Sequence, residues 1–240
     1  ARADNAKGIK FPRLSQLQAA ARAYRATGSC NFSRIMGLRN PIVQRYLHRP
    51  LLVNGRKCDF RVYVYVPSTQ PFMAYFHRKF YMKCSGQAYR ADSREITVAV
   101  SNQQVMKRGR GVNQNNFIWT PQQFQGYVTN RTLAPDDFVV GTMVPQIKRA
   151  LAVTMRAMAE QPKMARGRGD FGLFGPDIIL DETLHAWLME VNDSPGLYYT
   201  STVRTEVTKA VVRDVLHTQQ QLLEWEERQN PPFGTRATLS

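Results

Sequence analysis

The chain has 240 residues, 43% of them hydrophobic, enough to bury a sizeable core in one or two domains. With 33 Lys and Arg against 18 Asp and Glu its formal net charge is +15, beyond the ~2–8 usual for a small domain; this points to a polyanionic partner, whether an acidic protein tail, nucleic acid or an anionic membrane surface. No apolar run reaches membrane-spanning length and no signal peptide is visible, while Cys30, Cys58 and Cys84 fit neither a disulfide framework nor a zinc spacing, which favours a reducing compartment.

In chain order, Asn5 to Lys10 is a short basic segment with one glycine, able to lay backbone N–H groups and Lys7 against phosphates. Ser15 to Arg25 carries Leu14, Leu17, Ala20, Ala21 and Tyr24 at helical spacing, with Ser15 as a candidate cap. After a polar connector, Ile42 to Leu47 reads as a strand leading into a turn at Pro50. Strict alternation over Gly55 to Val66 then puts Lys57, Asp59 and Arg61 on one face and Cys58, Phe60, Val62 and Val64 on the other. Such a charged row is either a solvated face or a site: a lysine can neutralise phosphate oxygens, an aspartate can hold Mg²⁺ or an amine, and an arginine can clamp a carboxylate.

Phe72 to Cys84 reads as a strand pair whose aromatics and cations suit either a core or stacking on single-stranded RNA. Lys107 to Asn116 is a Gly-, Arg- and Asn-rich loop, a candidate polyanion contact. Trp119 to Asp137 holds a cap and a short helix, and Pro145 to Gln161 is the best helix, with Ile147, Leu151, Thr154, Met155 and Met158 in one stripe. A basic linker, 162–170, precedes a hairpin at Asp177 to Asn192. Val203, Val207, Val211, Val215 and Leu222 then outline a closing helix, and 229–240 is an irregular tail. No two of the four histidines have ligand spacing, and no nucleophilic Ser/His/Asp or Cys/His set can be argued.

The hairpin organises the rest. With Asp181-Glu182 in its turn, period-two alternation points Glu190 and Asn192 one way and Trp187, Met189 and Val191 the other, while Asp177 opens the partner strand. Two acids and an amide converging from adjacent strands form an all-oxygen set suited to Mg²⁺. The alternative is a solvated antiparallel face.

The segment FGLFGPDIILDETLHAWLMEVNDSPGL, residues 171–197, resembles the closing motif of the tubulin tyrosine ligase-like proteins of the ATP-grasp superfamily. The family's KxDxR motif has its counterpart in Lys57, Asp59 and Arg61. The resemblance implies an α+β, ATP-grasp-like fold over residues 1–228, with antiparallel sheets flanked by helices, the nucleotide site between them and the family's N-terminal subdomain missing. It implies Asp177, Glu190 and Asn192 as Mg²⁺ ligands, and Lys57, Lys7 and the hinge Gln44, Arg45, Tyr46 and Leu47 as ATP contacts. Asp59, Arg61 and Lys83 would serve the substrate. Ser101 and Asn102 keep half of the family's HLTN motif. The chain departs from the family at Ala6 in the glycine loop, at Ala99 in place of the histidine and at Lys83 in place of an arginine.

The activity so implied is ATP-dependent ligation of an amino acid to a protein, with acidic tubulin C-terminal tails or microtubules as partner and a cytoplasmic, microtubule- or cilium-associated location. The alternative is a catalytically degenerate ATP-grasp scaffold in a ribonucleoprotein assembly, mitochondrial or elsewhere, since arginines spread along the chain suit backbone-directed RNA binding.

Overall fold

The computed structural model describes residues 14–28, 44–93, 98, 114–160 and 170–229. They fall into two compact units. The first comprises residues 1–57 and 84–112, the second 58–83 and 113–240.

In the first unit, α1 (Leu14–Thr27) forms where the spacing predicts a helix, but of its stripe Ala20 is buried while Ala21 and Tyr24 are exposed; it begins one residue before Ser15, which therefore lies inside the helix rather than capping it. Gln44 to Leu47, expected as the end of a strand, has no strand conformation; Ile42 and Val43 lie outside the described residues. β1 (Leu52–Val53) and the start of β2 (Arg56–Arg61) form a hairpin. Asn54 and Gly55 connect them at φ 50° and 72°. Left-handed backbone at both central positions is the turn geometry that follows strand twist, and Asn-Gly is the pair that adopts it most cheaply. The Ser85 and Tyr89 amides cap this corner, donating to the carbonyls of Lys57 and Gly55.

The second unit is built on a sheet whose longest strand is β7 (Gly172–Leu180). Phe60 and Arg61 of β2 pair with Ile178 and Asp177, and β3 (Val64–Thr69) continues along the same edge of β7, pairing Val64 with Phe174 and Tyr65 with Leu173. The Val62 amide bridges the gap by donating to Pro176. The alternating run read as one strand is thus two strands in one unbroken register. Its charged face is not the solvated one, for Asp59 is only 1% exposed.

β4 (Phe72–Phe76) pairs with β3, and β5 (Tyr81–Cys84) with β6 (Ile118–Trp119). The stretch expected as a strand pair is therefore two strands that take different neighbours, with β3, β7 and β2 between them in the sheet order. Its second half is core, with Phe80, Tyr81 and Met82 buried, while Ala74 and Tyr75 of β4 are exposed. Cys58 and Cys84 are each disulfide-bonded, contrary to the expectation that the cysteines fit no disulfide framework.

Helices cover both faces. A capping box between Thr120 and Gln123 starts α2 (Pro121–Asn130), whose Phe124 meets Phe60 edge-on at 4.9 Å. Ile147, Leu151 and Met155 form the buried stripe of α3 (Val144–Ala159). On the other face Val207, Val211 and Val215 of α4 (Thr202–Gln229) close over Tyr63, Tyr65, Tyr81 and Ile118. Among the described residues, no helix is long and apolar enough to cross a membrane.

Candidate active site

β8 (Ala186–Asn192) pairs with the free edge of β7, with Asp177 opposite Glu190 and Gly175 opposite Asn192. Directly opposed residues of antiparallel strands share a face, so Arg61, Asp177 and Glu190 line up across three strands. The register then slips, since Ile178 faces Leu188 and Met189 is the extra residue of a β-bulge. One inserted residue inverts the alternation beyond it. Trp187 therefore lies opposite Ile179, on the face of Glu190, whereas simple alternation had placed it on the other.

The bulge is held from the turn. Asp181 Oδ1 accepts from the Thr183 and His185 amides and from the Thr183 hydroxyl, and Oδ2 accepts from Trp187 Nε1 at 2.8 Å. Partial burial pushes the Asp181 carboxyl up, but these hydrogen bonds outweigh it and hold it below the usual range. His185 is exposed and edge-on to Trp187.

At the centre stands Asp177, 3% exposed. Arg61 grips it with both prongs of its fork, Nε at 2.6 Å and Nη2 at 3.0 Å, and Lys83 Nζ donates to it at 3.1 Å. The same ammonium lies 2.8 Å from Asp59 Oδ1, yet neither oxygen of Asp59 accepts a well-directed hydrogen bond. Two cations and two carboxylates are thereby packed into one buried cluster.

The two aspartates respond oppositely to it. Burial raises both, but for Asp177 the adjacent Lys83 and Arg61 prevail and lower it to about 2. For Asp59 burial prevails over Lys83, and the charge of Asp177 adds to it, raising it to about 6. Lys83 stays a firm cation, since Asp177 and Asp59 overcome the burial that would discharge it.

A sign follows for stability. Asp59, ordinarily near 3.8, holds its proton up to about 6 in the folded state, so its contribution is complete at acid pH and is lost as pH rises through that window. Asp177, depressed, contributes fully above its ordinary value and loses that contribution as pH falls toward about 2. Asp59→Asn is therefore expected to flatten the decline in stability between about pH 4 and 6, read by urea unfolding at several pH values. An unchanged slope would place the titration elsewhere.

Asn192 Nδ2 donates to the Gly175 carbonyl at 2.9 Å and to Glu190 Oε1 at 3.3 Å. Gly175 was not singled out in the sequence. A Cβ there would stand 2.6 Å from Pro195 Cβ and 3.3 Å from Arg61 Cδ, so only glycine lets the loop after β8 fold back onto the arginine. The Gly175-Pro176-Asp177 run was the available signal. Arg204, also unforeseen, fastens that loop by donating to the Gly196 carbonyl at 2.8 Å.

In the first unit Lys57 Nζ donates to the Tyr46 hydroxyl at 3.1 Å and sits 4.3 Å from its ring centroid. Gln44 and Arg45 are exposed, and Leu47 is half-buried. Lys7, Ser101 and Asn102, with the departures at Ala6 and Ala99, lie outside the described residues.

A family model described as the tubulin-tyrosine ligase family matches residues 7–229. The chain belongs to the tubulin-tyrosine ligase family. Similar proteins include the tubulin glycylase 3A of Drosophila melanogaster, 28% identical over 78% of this chain and 20% of its own length. The inactive polyglycylase TTLL10 of Homo sapiens is 30% identical over 73% and 26%, and the tubulin monoglutamylase TTLL4 of Mus musculus 28% over 78% and 16%. The chain thus spans about a quarter or less of the length of these three relatives. Tubulin-tyrosine ligases are ATP-grasp-like, and the mixed antiparallel sheet with its flanking helices agrees with that expectation.

The family generally uses ATP with Mg²⁺, and the donor set here fits that ion. Among the described residues no three His, Cys, Asp or Glu side chains form a metal cage. Mg²⁺ does not need one, because it takes one or two carboxylates and completes its shell with water and phosphate oxygens. Glu190, Asn192 and Asp177 offer that hard-oxygen edge, with Asp177 already shared by two cations.

Proposed function

We propose that this tubulin-tyrosine ligase relative is an ATP-dependent carboxylate–amine ligase that adds an amino acid to acidic tubulin C-terminal tails, free or on microtubules, in the cytoplasm. The observation that carries the reading is the buried Asp177 clamped by Arg61 and Lys83 in register with Glu190. Burying four charges is costly unless each is paired, and a chain that needed only a scaffold could fill this space with apolar side chains. The names of two relatives, a glycylase and a glutamylase of tubulin, support the substrate class, as does the +15 charge.

In this reading Asp177, Glu190 and Asn192 hold Mg²⁺. Lys57, Lys7 and the Gln44, Arg45, Tyr46 and Leu47 segment receive ATP. Bound Mg-ATP supplies the phosphoryl group that activates a carboxylate toward an amine, giving an amide bond. The chain's own part is positioning and charge neutralisation. Arg61 fixes the orientation of Asp177 and has Nη1 left for a substrate carboxylate. Asp59 faces the amine. Lys83 serves by holding both aspartates, and the family resemblance assigns Ser101 and Asn102 to the same chemistry.

Calorimetric titration of Mg-ATP into the chain and its Glu190→Gln variant tests this, together with amino-acid transfer to tubulin tail peptides. Losing a ligand is expected to weaken metal-dependent binding by at least the ~10-fold that losing an outer partner costs. An absence of binding at millimolar nucleotide would exclude the ligase and favour a scaffold that binds a polyanion through its basic surface.

A further inference from the structure

We propose that the Lys83 ammonium is a built-in cation standing where a divalent ion could bridge two carboxylates, and that removing it opens a cation site between Asp59 and Asp177. The proposal deepens the ligase reading and rests on it only for the separate ion assigned to the Glu190–Asn192 edge.

The geometry is that of a bridging cation. Lys83 Nζ lies 2.8 Å from Asp59 Oδ1 and 3.1 Å from Asp177 Oδ2, reaching the first carboxylate from β5 to β2 and the second from β5 to β7. A lysine ammonium is a compact point charge able to sit between two anions, whereas an arginine fork would commit itself to one. Lysine suits this position because the fork on Asp177 is already supplied by Arg61.

Lys83 and Arg61 balance the two carboxylates in charge, but the hydrogen bonding of Asp59 is incomplete. Asp59 is 1% exposed and neither of its oxygens has a well-directed hydrogen-bond partner. A buried carboxylate with one ammonium contact and no well-directed hydrogen bond has oxygen lone pairs left for a cation. Both groups are hard oxygen donors, the class that selects Mg²⁺ or Mn²⁺. Lys83 thus sets the number of divalent ions the site can hold, keeping the Asp59 side occupied without metal.

The probe is Mn²⁺, counted by electron paramagnetic resonance on the full chain, with thermal melting in Mn²⁺ and in EDTA alongside. Lys83→Ala is expected to bind about one more Mn²⁺ per chain than the wild type and to melt higher in Mn²⁺ than in EDTA. Lys83→Arg should gain no ion, and adding Asp59→Asn to Lys83→Ala should abolish both effects. If Lys83→Ala is unfolded in EDTA, Mn²⁺-dependent folding is the same result. No extra ion and no Mn²⁺-dependent stabilisation would overturn the proposal, as would a gain that survives Asp59→Asn. A wild type without any Mn²⁺ would count against the Glu190–Asn192 edge alone, because the gain in Lys83→Ala is read independently.

Discussion

Asp177→Asn is expected to destabilise the protein by about 3–5 kcal/mol, the range for breaking a buried ion pair by removing one partner. Asp177 is the only carboxylate gripped by Arg61 in the described cluster, and it shares Lys83 with Asp59. Without its charge, two buried cations face a single acid whose protonation burial already favours. The loss should appear as a lower urea midpoint with little change in slope. Asp177→Asn/Lys83→Met restores the balance, one cation to one anion, and should recover at least half of the loss, since a buried pair replaced by apolar atoms is often neutral. If the double variant were as unstable as the sum of its parts, charge pairing would not be what holds the cluster. On the proposed ligase reading, amino-acid transfer should be lost in both variants, because each lacks the Asp177 carboxylate.

Phe60→Ala is expected to cost about 3–5 kcal/mol as well, by a different route. Phe60 is 2% exposed, lies opposite Ile178 and meets Phe124 at 4.9 Å and Phe80 at 6.3 Å. It points to the apolar face of β2 while its neighbours Asp59 and Arg61 point to the charged one. Emptying that space leaves a cavity between β2, β7, Phe80 and α2, whose rigid backbones relax only partly. Phe60→Leu should cost less than half as much, because it keeps most of the volume. The energy is read by urea unfolding, and equal losses in the two variants would mean that the site collapses around whatever side chain it receives.

Much of this was legible from residue order. The helix α1, the helical stripes of α3 and α4, the alternation across β2 and β3, and the Asp177 to Asn192 hairpin all follow from local periodicity, because a residue's face on a helix or strand is set by its own backbone. The same logic brought Asp177, Glu190 and Asn192 together, since hairpin neighbours are close in sequence. Where locality failed, so did the reading. A single bulged residue at Met189 turned Trp187 to the other face, and alternation carries no mark of an inserted residue until its partner strand is known.

What the sequence by itself determined, then, was the kind of element at each place, the family, and the charged face of β2. Only the tertiary structure decided which strands lie beside one another and which charges meet. Lys83 reaches Asp177 across 94 residues and Arg61 reaches it across 116. Backbone hydrogen bonds are the same for any pair of strands, so neighbours are selected by the packing of whole faces, and only that packing turned a lysine expected to face substrate inward onto two aspartates.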